Sequence, residues 1–469
     1  MASPAGSTSC PKRPPMTRRN PPSSPPGSDS IEIGALRPPF APRDAASQWF
    51  FSLHRLGIRP GLESVRELLR CMGNPERDFD AVVVAGTNGK GSAALALDAY
   101  ARSAGLRCGL YTSPHLLDLR ERMQVDGRLI DSATFTRLID EYRDLIEDCQ
   151  TTFFESLTAL TLEWFRRERV QVAVLETGLG GRLDATNVVR KAGLVLTSVG
   201  LDHQELLGHS LEAIAREKLG LAAAGVPFYL DDIPVELRRL AEESIRTAGG
   251  EAIELDGLEA TEICVGETVQ GKLQRRQLGR MMTVYRDLAR RHGWPEADAA
   301  RALESLDLPG RYDVRGHSPR LILDTAHNAH ALHRVIAQFA CEGRREQRVL
   351  VFGSVHGKEI DSVLPELVRC CARVLVCAPD WYRALDPSWL AGRLRAIAPE
   401  PAAIGVCNSV REALEEARAF GPDAVTLATG SNFLVAEALD RLGHDSLTGQ
   451  SGLWDSGAPL RRREPGAKA

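Results

Sequence analysis

Short apolar runs rich in β-branched residues recur along this chain, and each is followed by a polar loop and then by a helical repeat. Residues 81–84 form the first run, and residues 108–111, 170–176 and 192–199 form the next three. Helical spacing predicts helices over 92–104 and 152–162. Ahead of the first strand, Trp49, Phe50, Leu53 and Leu56 repeat at helix spacing, glycines 57 and 61 interrupt, and Val65, Leu68 and Leu69 resume it. Residues 226–270 are weaker and predict one strand and one helix, while 275–292 read as a basic helix with a solvated face. A Pro-Gly turn in 306–315 marks a hinge. Beyond it the alternation starts again, with strands at 321–324, 349–352, 374–378, 404–407 and 425–428. Strand and helix alternating in this way build mostly parallel sheets covered by helices, so the pattern predicts an α/β chain with two such domains. Their expected bounds are 43–308 and 309–445, with a disordered Pro/Ser/Gly/Arg extension over 1–42 and a loose tail over 446–469.

The chemistry gathers where the strands end. Residues 79–92 read FDAVVVAGTNGKGS, a strand, a glycine loop and a helix start. Such a loop can turn several backbone N–H groups toward one point, with Lys90 as a cation and a helix N-terminus as partial positive charge. An anion is welcome there, and a nucleotide phosphate is the natural occupant. The usual GxxxxGK[ST] pattern is not met, because Val84 stands where its first glycine belongs and Gly91 separates Lys90 from Ser92. The next loop carries Ser113, His115, Arg120 and Arg122 around a proline turn. The third, TGLGGRLDATNV over 177–188, crowds glycines, Arg182 and Asp184 at a strand end, so its backbone must approach something closely. The fourth strand ends in Asp202, His203 and Glu205, and Lys218 closes the helix that follows. Four strands therefore bring polar groups to one edge, which is where open α/β sheets hold ligands.

Composition narrows the classes without naming one. With 58 Lys and Arg against 62 Asp and Glu, the net charge of −4 gives no pull toward nucleic acid. Ten cysteines are scattered without a CxxC pair, which argues against a zinc site or a disulfide framework and fits a reducing cytosol. The longest apolar stretch, 219–230, falls short of the roughly 20 residues of a spanning helix, so no membrane anchor is expected. These features predict a cytoplasmic globular protein.

Taken together, GTNGKGS (86–92), TSPHL (112–116), FE (154–155), GLGGRLDATN (178–187), LDHQELLG (201–208), EK (217–218), PGR (309–311) and DTAHNAHA (324–331) resemble one family. The chain is similar to folylpolyglutamate synthase / dihydrofolate synthase, within the Mur ligase superfamily, over about residues 45–445. The resemblance implies a P-loop-type ATPase domain with a smaller Mur-ligase-like C-terminal domain, a monomer, and an ATP-dependent amide ligase using two Mg²⁺ ions. Dihydropteroate or a folate, L-glutamate and ATP would be its small-molecule substrates. It places ATP phosphates against Thr87, Asn88, Gly89, Lys90, Gly91 and Ser92, and magnesium on Ser113, Glu155, His203 and a carbamylated Lys218. Arg311 and Asp324 would reach the nucleotide from the C-terminal domain, with Gln277, His327 and Ser431 nearby. Arg182, Asp184 and Ala185 would lie beside the pterin. Lys90, His203 and Lys218 would carry the catalysis.

The family pattern is not complete. Gln277 stands where an Asn touches ATP, Thr325 and Ala329 replace Gly and Pro around His327, and Gly357, Lys358 and Glu359 stand for Asp-Lys-Asp. Two other readings stay open on sequence: a Mur-type ligase for another carboxylate and amine, or a paralogue that binds folate or nucleotide without turnover.

Overall fold

The computed structural model describes residues 45–57, 59–255 and 272–444, so the expectations for 1–42 and 446–469 lie outside the described residues. The first sheet has eight strands: β1 (Asp80–Ala85), β2 (Cys108–Tyr111), β3 (Met123–Val125), β4 (Arg128–Leu129), β5 (Val172–Glu176), β6 (Lys191–Ser198), β7 (Pro227–Asp232) and β8 (Glu251–Glu254). Their order is β4-β3-β2-β5-β1-β6-β7-β8, parallel except for the β3–β4 hairpin at one edge. The chain leaves β1 toward β2 and β5 and returns on its other side at β6. A crevice therefore opens beyond the C-terminal end of β1, and the glycine loop occupies it.

Period-two alternation makes β1 central. Ala81, Val83 and Ala85 point into one buried cluster with helices Glu63–Cys71 and Phe153–Arg167, while Val82 and Val84 point into the other with helices Lys90–Ser103 and Lys272–His292. Each valine so buried contributes about 1.5–3 kcal/mol, which is why the run needs no polar positions.

The second sheet has six strands: β9 (Asp313–His317), β10 (Arg320–Leu323), β11 (Arg348–Phe352), β12 (Arg373–Val376), β13 (Ile404–Val406) and β14 (Val425–Thr429), ordered β13-β12-β11-β14-β10-β9. Only β9 runs antiparallel. Helices on both faces cover it. Leu116, from the loop after β2, packs into this second core beside Val435 and Leu434. One apolar residue thus fixes part of the first domain's site loop against its neighbour.

Four details differ from the sequence expectation. The loop over 112–127 contains the strand β3, too short to signal itself. Residues 226–255 hold two strands, because β8 reads EAIE and sits at an exposed edge. The hinge 306–315 runs directly into β9, whose DVRGH sequence lacks an apolar run. The basic helix Lys272–His292 is not solvated all round: Leu278, Met281, Met282, Tyr285 and Leu288 are buried against the helix that follows the glycine loop. Its arginines mask a strong apolar stripe. Among the described residues no helix is long and apolar enough to cross a membrane.

Candidate active site

The glycine loop is held rigid by the end of β6. Thr87 N donates to Ser198 O and Asn88 N to Ser198 Oγ, both at 2.9 Å. Thr87 Oγ1 donates to Gly200 O at 3.1 Å and accepts from Gly200 N at 3.0 Å, and Thr197 Oγ1 donates to Asn88 O at 2.7 Å. Those two loop amides are therefore spent inside the protein. Gly89, at φ 83°, is the N-cap of helix Lys90–Ser103. Among the described residues its N–H and those of Lys90, Gly91 and Ser92 have no acceptor. The first helical turn is consequently the anion cradle.

Cations surround that turn. Lys90 Nζ donates to Gly86 O at 3.1 Å and Thr87 O at 3.2 Å, and Lys218 Nζ donates to the same Gly86 O at 3.0 Å. Burial, with Lys90 as a neighbouring charge, pulls the Lys218 ammonium down to about 7. Arg311, from the C-terminal half, lies so close over Gly91 that a Cβ there would overlap its guanidinium. Gln277 Nε2 donates to Gly89 O at 2.9 Å.

The carboxylate facing these cations is Glu176, the last residue of β5. It is 3% exposed, and one oxygen accepts from Ser113 N at 3.0 Å. Burial raises its pKa, opposed by Lys90, Arg311 and Arg122. Its Oε1 accepts from no described residue. An oxygen with free lone pairs is the kind of donor a hard divalent cation takes, and Ser113, whose N–H holds the other oxygen, carries a hydroxyl as well. His203 sits at the tip beyond β6 in a left-handed turn, φ 50°, with half its side chain exposed. Burial, and the charges of Lys358, Lys90 and Lys218 against that of Asp202, lower its pKa, so at neutral pH it offers a lone pair. Among the described residues no cluster of three His, Cys, Asp or Glu could hold a metal by itself. Any ion here needs the hydroxyl, the two remaining donors and ligand oxygens together.

The C-terminal half closes the crevice. Asp324 is half-buried, with one oxygen accepting from Tyr312 N and the other from Ala326 N, each at 2.8 Å. Burial raises its pKa to about 6 against those two bonds. His327 Nδ1 donates to Thr325 O at 2.8 Å, leaving Nε2 directed at Asp202, 3.8 Å away. Burial and Lys358 lower its pKa to about 4. Ser431 caps helix Asn432–Arg441 through Phe433 N at 3.1 Å and is buried.

Comparison with known proteins now decides the family. Residues 310–432 match the family described as Mur ligase, glutamate ligase domain. The chain is 30% identical over 354 residues to the dihydrofolate synthase/folylpolyglutamate synthase of Escherichia coli, covering 71% of this chain and 79% of that protein. It belongs to the folylpolyglutamate synthase/dihydrofolate synthase family. Two more similar relatives are the probable bifunctional folylpolyglutamate synthase/dihydropteroate synthases of Haloferax volcanii and Halobacterium salinarum, 35% and 36% identical over 84% and 85% of this chain. The chain spans about half the length of those two proteins, 50% and 51%. Among solved structures, Escherichia coli FolC in complex with DHPP and ADP is similar at TM-score 0.75 and 26% identity, covering 85% of this chain and 98% of that one. The Yersinia pestis bifunctional folylpolyglutamate synthase/dihydrofolate synthase with AMPPNP and Mn ion is similar at TM-score 0.73 and 27% identity, with the same coverage.

Within this folylpolyglutamate synthase/dihydrofolate synthase chain, one sequence expectation needs correction, and two further residues have their side chains engaged within the protein. Glu155 does not face the cleft: it is the third residue of a capping box, accepting from Thr152 N and Oγ1 at 2.8 Å, while Ser64 Oγ donates to its other oxygen. Those bonds use the carboxylate to start a helix. Asp184 is also spent internally, accepting from Leu179 N at 2.9 Å, Thr186 N at 3.0 Å and Thr186 Oγ1 at 2.6 Å. These bonds shape the loop; Ala185 beside it is buried. Arg182 points away to Glu217 at 2.8 Å and is half exposed. The loop instead approaches Phe154, whose ring a Cβ at Gly178 would overlap.

Sequence reasoning missed Glu176, Asn328 and the pairing of Arg122 with His115. The signal for Glu176 was present: it is the one charged residue ending the apolar run VAVLE. Arg122 Nε donates to His115 Nδ1 at 2.9 Å, and the guanidinium lies 5.7 Å from the Phe153 ring centre. Nothing in the spacing of those three residues announces that contact.

Proposed function

We propose that this chain is an ATP-dependent ligase that joins L-glutamate to dihydropteroate, to the terminal carboxylate of a folate glutamate, or to both. The observation carrying this reading is the meeting of Lys90, Lys218, Arg311 and Glu176 around the open first turn of one helix. A free carboxylate is a poor electrophile, and its activation needs two anions held together with cations on the moving phosphoryl group. Here the acid's oxygen attacks the γ-phosphorus and ADP departs, giving an acyl phosphate. The glutamate amine, having lost a proton, then attacks the acyl carbon; the C–N bond forms and inorganic phosphate leaves.

Helix amides 89–92 and Lys90 would bind and orient the β- and γ-phosphates, and Arg311 would screen the charge from the far side. Asp324, half-buried and braced, would hold the turn that carries Arg311 and meet the nucleotide with Gln277. Ser113, Glu176 and His203 would hold one Mg²⁺, with Glu176 in the place sequence gave to Glu155. Bound there, the ion would supply charge neutralisation at the phosphate oxygens. Lys218 with a pKa near 7 is neutral often enough to add to carbon dioxide, forming a carbamate and releasing a proton. That modification would turn a cation into an oxygen donor for a second ion. His327 and Ser431 would serve the nucleotide or the glutamate from the C-terminal half. The pterin would lie over Phe154 and the 178–187 loop, and the protein would act as a cytoplasmic monomer.

Purified protein given ATP, Mg²⁺, L-glutamate and dihydropteroate should release ADP and form dihydrofolate. No turnover with dihydropteroate or with a reduced folate would overturn the reading. A ligase for a different acid is the second reading, favoured by the internal commitment of Arg182 and Asp184. Glutamate-dependent ADP release with another carboxylate and none with a pteridine would select it.

A further inference from the structure

Asp202 stands at the boundary between the two halves and has more partners across it than on its own side. Its Oδ1 accepts from Lys358 Nζ at 2.8 Å and from His203 N at 2.9 Å. Its Oδ2 accepts from Asn328 Nδ2 at 2.9 Å. Asn328 carries the connection on. Its Nδ2 also donates to Asn88 Oδ1 at 3.0 Å, and its Oδ1 accepts from Asn88 Nδ2 at 3.3 Å and from Ala331 N at 2.9 Å. One buried amide, 3% exposed, therefore caps helix Ala329–Phe339, grips the glycine loop and grips Asp202. His330 Nδ1 lies 3.0 Å from Asn88 Nδ2 and adds a second hold on the loop.

This arrangement needs a carboxylate. Two donors from the C-terminal half arrive on the two oxygens, so an amide at position 202 would set its own NH₂ against either an ammonium or an amide donor. The acidic side chain is itself only 12% exposed, so water cannot easily substitute.

We propose that Asp202 is a positioning residue that clasps the C-terminal half onto the phosphate loop, so that Arg311 and His327 face the reacting groups only while the clasp is shut. Its kinetic consequence rests on the ligase reading above; its geometric consequence does not. The test compares wild type with Asp202→Asn, Asp202→Glu, Lys358→Met, Asn328→Ser and the double variant Asp202→Asn/Lys358→Met. Hydrogen exchange is followed without substrates. In Asp202→Asn, amides of 86–92 and 327–332 should exchange faster while those of β5 stay protected. Unchanged exchange in both segments overturns the clasp. If β5 also loses protection, Asn328→Ser decides, because serine keeps the helix cap and removes the bridge: selective loss at 86–92 supports the proposal, and no loss overturns it. In turnover, kcat should fall about tenfold or more in Asp202→Asn, Asp202→Glu should recover part of it, and the double variant should be no worse than its poorer single parent. Losses that multiply in the double variant overturn it. Absence of turnover in wild type would sink the ligase reading and leave the exchange result to judge the clasp alone.

Discussion

Lys90 and Lys218 donate to one acceptor, the carbonyl oxygen of Gly86, at 3.1 and 3.0 Å. Burial of the Lys218 ammonium, with Lys90 as a neighbouring charge, lowers its pKa from 10.5 to about 7. Between those two values the unfolded chain holds a proton on this lysine that the native chain has released. Native stability therefore rises with pH across that window, and the penalty is complete below pH 7. Lys218→Met should flatten the slope of stability against pH from 7 to 10. The same depressed pKa exposes a nucleophilic amine, so ¹³C-bicarbonate should give a carbamate resonance that grows from pH 7 to 9 and is missing in Lys218→Met. A wild-type spectrum without it would leave Lys218 as a plain amine.

Two glutamates at helix and strand ends separate structure from chemistry. Glu176→Gln keeps the shape and removes the charge that faces Lys90 and Arg311, so turnover should fall roughly 10²–10³-fold with the melting temperature held or raised. Glu155→Ala should do the reverse: it deletes a capping box and the Ser64 bond, costing about 1–2 kcal/mol, while the magnesium dependence of turnover stays put. Denaturant midpoints and Mg²⁺ titrations of the two variants check both halves. A Glu155 variant with raised magnesium demand and unaltered stability would contradict the geometry.

The strands of both sheets were legible because each buried strand is an uninterrupted apolar run, as in 81–84 and 349–352. The three-residue β3 was not, being too short to signal itself, and neither were the edge strands β8 and β9, whose exposure removes the hydrophobic signal that marks an interior strand. Glycines and Lys90 announced a loop with open first-turn amides by composition alone. Glu155 entered through the FE match at 154–155, and only three dimensions reveal that its carboxylate looks back at Thr152 while that of Glu176 looks toward Lys90. Asn328 and Asp202 were invisible as partners for a simpler reason: 126 residues separate them in the chain.

Gly86 and Gly91 are both crowded, yet for different reasons. At Gly86 the backbone has φ 155°, and an added Cβ would overlap Thr197 Oγ1 and sit 3.2 Å from the backbone nitrogen of Ser198. Neither the strand nor the loop can retreat, so Gly86→Ala should cost about 1–3 kcal/mol of stability. At Gly91 the obstacle is the end of the Arg311 side chain, which can swing aside. Gly91→Ala should fold normally and weaken nucleotide binding by displacing that guanidinium. Thermal unfolding beside ADP titration distinguishes the two, and equal losses of stability would refute the distinction.

Asp324 and His327 oppose each other in acid. Asp324, raised from 3.8 to about 6, keeps a proton in the native state that the unfolded chain has lost, so across that interval its contribution to stability falls as pH rises. His327, lowered from 6.5 to about 4, is neutral in the native state where the unfolded chain is charged, so its contribution grows as pH rises over nearly the same interval. The two slopes cancel in large part. Asp324→Asn removes the falling one and leaves the histidine, so the stability of that variant should climb more steeply than wild type between pH 4 and 6. His327→Gln should show the opposite difference, a shallower climb or a decline. The comparison is variant against wild type in urea unfolding at each pH, which subtracts every other titrating group. Parallel curves for Asp324→Asn and wild type would mean that Asp324 titrates at its ordinary value and that its burial is relieved by water.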